Sequence, residues 1–176
     1  VGAKTSSRAY AIDASARGSV VNLGRADAPG GAISISGAIR GYSAINLYAG
    51  SSGSGTQSVE FAATSLIETL SGGMVFNPAG DTIFEGDFIA RGVDASIVIN
   101  STGTLKLKGN LTAQSDILIS AGSSVVAGEE SVRTYGTAAF STIDAGSQIV
   151  ITGLNDVVID STIGKGNALS LLQVVS

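Results

Sequence analysis

The chain has no cysteine, no histidine and no tryptophan, and only two of its 176 residues are proline. Without cysteine there is no disulfide, no thiol chemistry and no thiolate metal site. Without histidine the usual general base near neutral pH and the commonest metal ligand are both missing. Aromatic residues make up 5% of the chain, so platforms for stacking sugar rings are scarce. Charged residues are 14%, well below the usual quarter or so. Ten basic and fourteen acidic residues leave a net charge of −4, and no basic cluster stands out. Nucleic-acid affinity rests on phosphate neutralisation, so that class of partner is not expected. No apolar run approaches the roughly 18 residues of a spanning helix, so no transmembrane segment is expected.

Hydrophobic residues reach 44%, enough for a core, and there are 24 glycines. That profile suits many short strands joined by tight turns. The clearest stretch is Leu105–Gly122, LKLKGNLTAQSDILISAG. Its odd positions are aliphatic or small and its even positions are nearly all polar, the period of two that gives a strand one dry and one wet side. The pattern recurs 72 residues earlier at Ile33–Gly50, ISISGAIRGYSAINLYAG, large matching large and small matching small.

Further copies align on aliphatic-x-small-x-Ser-x-aliphatic-x-aliphatic. They are expected to begin at 12, 39, 61, 88, 111, 143 and 163, with spacings of 27, 22, 27, 23, 32 and 20 residues. The third is read as Phe61, Ala63, Ser65, Ile67, Thr69 and the last as Ile163, Lys165, Asn167, Leu169, Leu171. A period in the twenties built from short strands indicates a solenoid, in which stacked units share one core. The fixed Asn and helical return of a leucine-rich repeat are missing, and no helical period survives three turns. The expected fold is all-β: a single-stranded parallel β-helix of about seven rungs, roughly 34 Å long, with irregular loop insertions. Residues 1–176 form one such segment. The chain starts at Val1 and stops within an apolar strand, so a piece of a longer protein is expected.

Individual positions carry sharper expectations. Ser43, Ser65, Ser115 and Ser147, with Asn167 in the same place, are expected at a recurring corner, their side-chain groups bonding backbone exposed by the bend as a small hydroxyl can. Gly37, Gly41, Gly109, Ala113 and Ala145 fit where the chain turns tightly. The segment 92–96 is expected to bulge outward. Asn77–Gly80 reads as a turn.

The repeat, above all Leu111–Gly122 (LTAQSDILISAG), resembles the shaft repeats of filamentous haemagglutinin-like adhesins. These are large right-handed β-helical fibres on Gram-negative cells, exported by two-partner or autotransporter-type routes. The resemblance implies a non-catalytic shaft segment on the bacterial outer cell surface, engaged in attachment or cell–cell contact. A host or neighbouring-cell glycan or protein would be its partner, bound through the insertions at 51–57, 92–96 and 123–136. The open ends of a solenoid also invite self-association, and with it an extracellular filament or sheath.

The rival reading is a carbohydrate-active β-helix, a polysaccharide lyase or hydrolase. Glycoside hydrolysis needs two carboxylates facing across a cleft. The outward acids are Asp87, Asp116, Asp144, Asp156 and Asp160; Asp116 and Asp144 differ in repeat position, and Asp156 and Asp160 share one face. Solvated strand residues explain all five, so no catalytic residue is assigned. Calcium could use Asn155, Asp156 and Asp160, or Glu129 and Glu130, but the nonapeptide calcium repeat is missing, so no metal or cofactor is expected. Asn100–Thr102 and Asn110–Thr112 are acceptor-like sequons. Outward Thr112, Thr152 and Thr162 share no register, which argues against an ice-binding face.

Overall fold

A strand whose two faces alternate cannot bury its aliphatic side alone, and here each turn of the chain covers the next. The computed structural model describes residues 10–25, 31–49, 59–123, 125–127, 142–153, 157–159, 162–163 and 169–176. Among them there are twenty strands and no helix. In chain order the first are β1 (Ile12–Ala14), β2 (Val20–Leu23), β3 (Ile33–Ile35), β4 (Ala38–Gly41) and β5 (Ala44–Ala49). Next come β6 (Val59–Phe61), β7 (Leu66–Thr69), β8 (Met74–Pro78), β9 (Thr82–Phe84), β10 (Asp87–Ala90) and β11 (Ile97–Ser101). Then follow β12 (Leu105–Leu107), β13 (Asn110–Ala113), β14 (Ile117–Ala121), β15 (Val125–Ala127), β16 (Thr142–Ala145) and β17 (Gln148–Gly153). The last three are β18 (Val157–Ile159), β19 (Thr162–Ile163) and β20 (Leu171–Val175).

Every third strand belongs to the same sheet, and every pairing is parallel. Sheet A runs β1-β4-β7-β10-β13-β16-β19, sheet B β2-β5-β8-β11-β14-β17-β20, and sheet C β3-β6-β9-β12-β15-β18. This is the parallel β-helix that the period of two and the repeat require. The core-enclosing turns number about five, from β3–β5 to β15–β17, rather than the seven expected. All seven copies contribute strands to sheets A and B, but among the described residues the outermost have a neighbour on one side only. Their aliphatics therefore stay open: Ile12, Val20, Leu171, Leu172, Val174 and Val175 are all exposed.

Inside, identical positions stack. One column of sheet B is Val21, Ile45, Met74, Ile97, Ile117, Ile149 and Leu172. Ile45 and Ile117 thus face the same side of the wall, and both are fully buried. The small residues Gly41, Ala90, Ala113 and Ala145 share a column of sheet A with Thr69. At Gly109 the turns approach so closely that a Cβ would lie 1.9 Å from the Gly86 carbonyl oxygen.

The third copy is registered differently from the expectation. Ile67, not Phe61, lies beside Ile39, and Met74 and Phe76 take the places beside Ile45 and Leu47. Phe61 belongs to sheet C, between Ile35 and Phe84. The cause is volume. Phe61, Phe76, Phe84 and Phe88 come from all three walls and form one buried cluster, with ring centroids 4.8–5.6 Å apart. Phe61 stacks on Phe84 at the centre of the rod, and Phe88 fills the large-residue column of sheet A beside Ile67.

The corner serines divide accordingly. Between sheets A and B, the Ser43 amide donates to the Ser19 carbonyl at 2.8 Å, Ser115 to Ala95 at 3.0 Å and Ser147 to Ser115 at 3.1 Å. Ser170 continues the series on Ser147 at 2.7 Å, the place expected for Asn167, which lies outside the described residues. The last copy is offset too, with Leu172 and Val174 beside Ile149 and Ile151. Ser65 sits at a different corner, between β6 and β7. Its Oγ is the one buried side-chain polar atom without a partner among the described residues. The 92–96 segment bulges at Val93, 87% exposed, but turns Ala95 back into the core. Asn77 and Pro78 end β8 rather than form a turn, and the bend follows at Gly80, φ +111°.

Two outcomes are expected. Phe84→Ala empties the centre of the aromatic cluster and lowers unfolding free energy by about 3–5 kcal/mol in urea titration. Ser65→Ala removes a desolvated, unpaired hydroxyl and raises stability by about 1 kcal/mol in the same assay.

Candidate functional site

Two places on the outside of the rod stand apart from ordinary solvated strand surface. The first is on sheet A, where register aligns Asp13, Arg40, Glu68, Ile89 and Thr112 in one outward column. Glu68 points away from the core yet is only 3% exposed, because three side chains close over it. The Tyr10 hydroxyl donates to Oε2 at 2.7 Å, and Arg40 Nε donates to the same oxygen at 3.0 Å. Arg91 Nε donates to Oε1. Arg40 also donates to the Tyr10 hydroxyl at 2.5 Å, and its guanidinium lies 3.8 Å from the centroid of the Tyr10 ring.

The electrostatics follow from this cage. Burial alone would push the Glu68 carboxyl upward, but hydrogen bonds from Tyr10, Arg91 and Arg40 outweigh it and hold the group below its usual range. Burial, then the adjacent Glu68 carboxylate, raises the Tyr10 phenol. Arg40 is raised as well, its burial being outweighed by Glu68 and Tyr10. A carboxylate locked in its charged form between two arginines is a poor proton donor. Its four members come from successive turns: Tyr10 just ahead of β1, Arg40 in β4, Glu68 in β7 and Arg91 just after β10. The arrangement therefore acts as a clamp across four turns.

The second place is the outer face of sheet B. One outward column is Asn22, Asn46, Val75, Val98, Leu118, Val150 and Gln173. Beside it runs Tyr48, Asn77, Asn100, Ser120, Thr152 and Val175. Neither column holds a charge. Asn46 Nδ2 donates to Asn22 Oδ1 at 2.9 Å and Asn100 Nδ2 to Asn77 Oδ1 at 3.0 Å, so these amides pair between turns. Val75, Val98, Leu118 and Val150 are half-buried in an aliphatic ridge between neutral polar margins.

Among the described residues, the acids singled out from the sequence are not brought together. Asp87 opens β10 and accepts a hydrogen bond from Asn110 Nδ2 at 2.7 Å. Asp116 precedes β14 and accepts from Gln148 Nε2 at 3.2 Å. Asp144 lies in β16 beside Thr112, so it does not stack on Asp116. Asp156, Asp160, Asn155, Glu129 and Glu130 lie outside the described residues, as do 51–57 and most of 123–136. Asn100 and Asn110 of the two sequons are strand residues whose amides donate to the preceding turn. Thr112 is in sheet A and Thr152 in sheet B, in agreement with the lack of a shared Thr rank.

Sequence reasoning missed Glu68. The signal was present once the third copy is aligned through Ile39 and Ile67, because the next residues are then Arg40 and Glu68, opposite charges on adjacent strands. Aligning on Phe61 concealed it.

A pH test follows from the clamp. Glu68 has a lowered carboxyl in the folded chain, so its contribution is present above the ordinary carboxylate range and lost as pH falls through the folded value. Glu68→Gln is expected to cost roughly 2–3 kcal/mol at pH 7. The gap between the two proteins in urea midpoint narrows as the medium is acidified, and a constant gap would contradict the assignment.

No family model matches this chain, and no curated protein or solved structure matches it significantly.

Proposed function

We propose that this chain is a structural, non-catalytic shaft segment of an extracellular adhesin-like fibre, the kind of protein its repeat resembles. One observation carries the reading: two uncharged outward columns of sheet B, in which register sets an aliphatic ridge beside amide and hydroxyl side chains. Two adjacent columns without charge suit broad contact with a neutral surface, such as a glycan or protein on a neighbouring cell. Aliphatic side chains gain by leaving water, and the flanking amides supply hydrogen bonds. The locked Glu68 supports the same reading, since the most buried carboxylate among the described residues is tied up in holding turns together.

Two measurements test this reading. Incubation with a panel of neutral and acidic polysaccharides is expected to release no new chain ends, and clear turnover would establish the carbohydrate-active alternative. Beads coated with the protein are expected to adhere to bacterial or host cells under flow. Val98→Asp combined with Leu118→Asp, which places charge on the ridge, should reduce retention about tenfold or more; unchanged retention would sink the role given to sheet B.

A further inference from the structure

Pairing two rods side by side buries one wall of each, so the charge on a wall decides whether it can be covered. Sheet A sets Asp13, Arg40, Glu68 and Asp144 along one outward column, and sheet C sets Glu60 and Lys106 along another. The two central columns of sheet B carry no charge. Residues 59–123 are described without a break, so β8, β11, β14 and the turns that join them are known throughout. There Val75, Val98 and Leu118 are half-buried, and Asn100 and Ser120 beside them are exposed.

The chemistry of this face narrows what can cover it. Aromatic platforms for a sugar ring come down to Tyr48 in these columns. The asparagines already pair with each other, Asn46 with Asn22 and Asn100 with Asn77. What is left to cover is the aliphatic ridge, which calls for another apolar row at the repeat of a parallel wall, about 4.8 Å. The ridge itself supplies one. Val75–Val98–Leu118–Val150 reads almost alike in both directions. A two-fold axis along the strands, between Val98 and Leu118, therefore sets each half of the ridge on the other half of a second copy. The same axis lays Asn77–Asn100–Ser120–Thr152 on its own reverse, amides against hydroxyls. Asp116 flanks the ridge level with Ser96, since each precedes one of the paired residues Ile117 and Ile97. Across the axis Asp116 meets the second copy's Ser96 rather than another carboxylate. The interior strands β5, β8, β11, β14 and β17, about 17 Å long and about 4.8 Å apart, outline roughly 400 Å² on each copy. Two such faces bury on the order of 1,000 Å², the low end of specific interfaces, and a fibre that repeats the contact multiplies it.

On the adhesive role given to sheet B, on which this rests, we propose that the partner of this wall is a second copy of the chain. Two rods pair face to face and antiparallel, ridge on ridge, so that shafts from neighbouring cells engage each other.

Sedimentation equilibrium of the 176-residue chain is expected to show a monomer–dimer equilibrium. Val98→Asp combined with Leu118→Asp should raise the dimer dissociation constant about tenfold or more. Leu172→Asp, on the exposed strand β20, should leave it unchanged, which separates wall pairing from end-on stacking. The chain has no cysteine, so introduced single cysteines report the contact cleanly. Facing sheets lie about 10 Å apart, within reach of a short bismaleimide. A mixture of Val98→Cys and Leu118→Cys proteins should crosslink more than either alone, a result that does not depend on the aspartate variants folding. A monomer at every concentration, a dimer unmoved by the paired aspartates, loss of the dimer in a folded Leu172→Asp protein, or equal crosslinking in all three samples would overturn the proposal. Beads that hold to cells while the protein stays monomeric sink the pairing and leave the shaft reading standing. A dimer whose beads do not hold to cells does the reverse.

Discussion

Main-chain hydrogen bonding from one turn to the next is the constraint on which this molecule depends. In a parallel ladder each strand is held in register by both neighbours, so a side chain in one turn must lie beside its counterpart in the next. Every column described above is a consequence. An aliphatic column removes its members from water together, a small-residue column lets the wall bend, and an outward column collects whatever the sequence places there. A one-residue slip would turn every inward Ile to solvent, and for that reason the pattern is so strict in Leu105–Gly122.

The same constraint explains where the rod is strong and where it is open. At the centre, four phenylalanines from three walls replace the aliphatic fill, and the turns around them are the most completely buried. Toward the start, the Glu68 clamp ties four turns of sheet A from outside, where no apolar column could do so. Beyond it the walls are uneven. Among the described residues, sheet C has six strands to its partners' seven, and six of the seven exposed large hydrophobics lie in the outermost strands.

Much of the fold was legible because a period of two is a local property. The copies at Ile12, Ile39, Phe88, Leu111 and Ile143 were placed correctly, and so were the continuations at Ile45, Ile117 and Ile149. The third copy was not, because Phe61 satisfies the apolar requirement of sheets A and C equally well. Only the space between Phe76, Phe84 and Phe88 distinguishes them. The candidate sites were less legible still. Glu68 reads as a solvated strand residue until Arg40, Arg91 and Tyr10, from three other turns, are known to converge on it. The neutral face of sheet B was hidden because its aliphatics, Val75, Val98, Leu118 and Val150, sit between larger inward ones and read simply as part of apolar runs.

By itself, then, the sequence determined that the chain is all-β, repetitive and coiled into parallel turns, since alternation and recurrence are written in neighbouring residues. Tertiary structure alone decided which copy meets which, which carboxylate is caged and which outward residues stand side by side. Those outcomes depend on loop lengths and on how side-chain volumes from different turns share one interior, quantities that no single repeat contains.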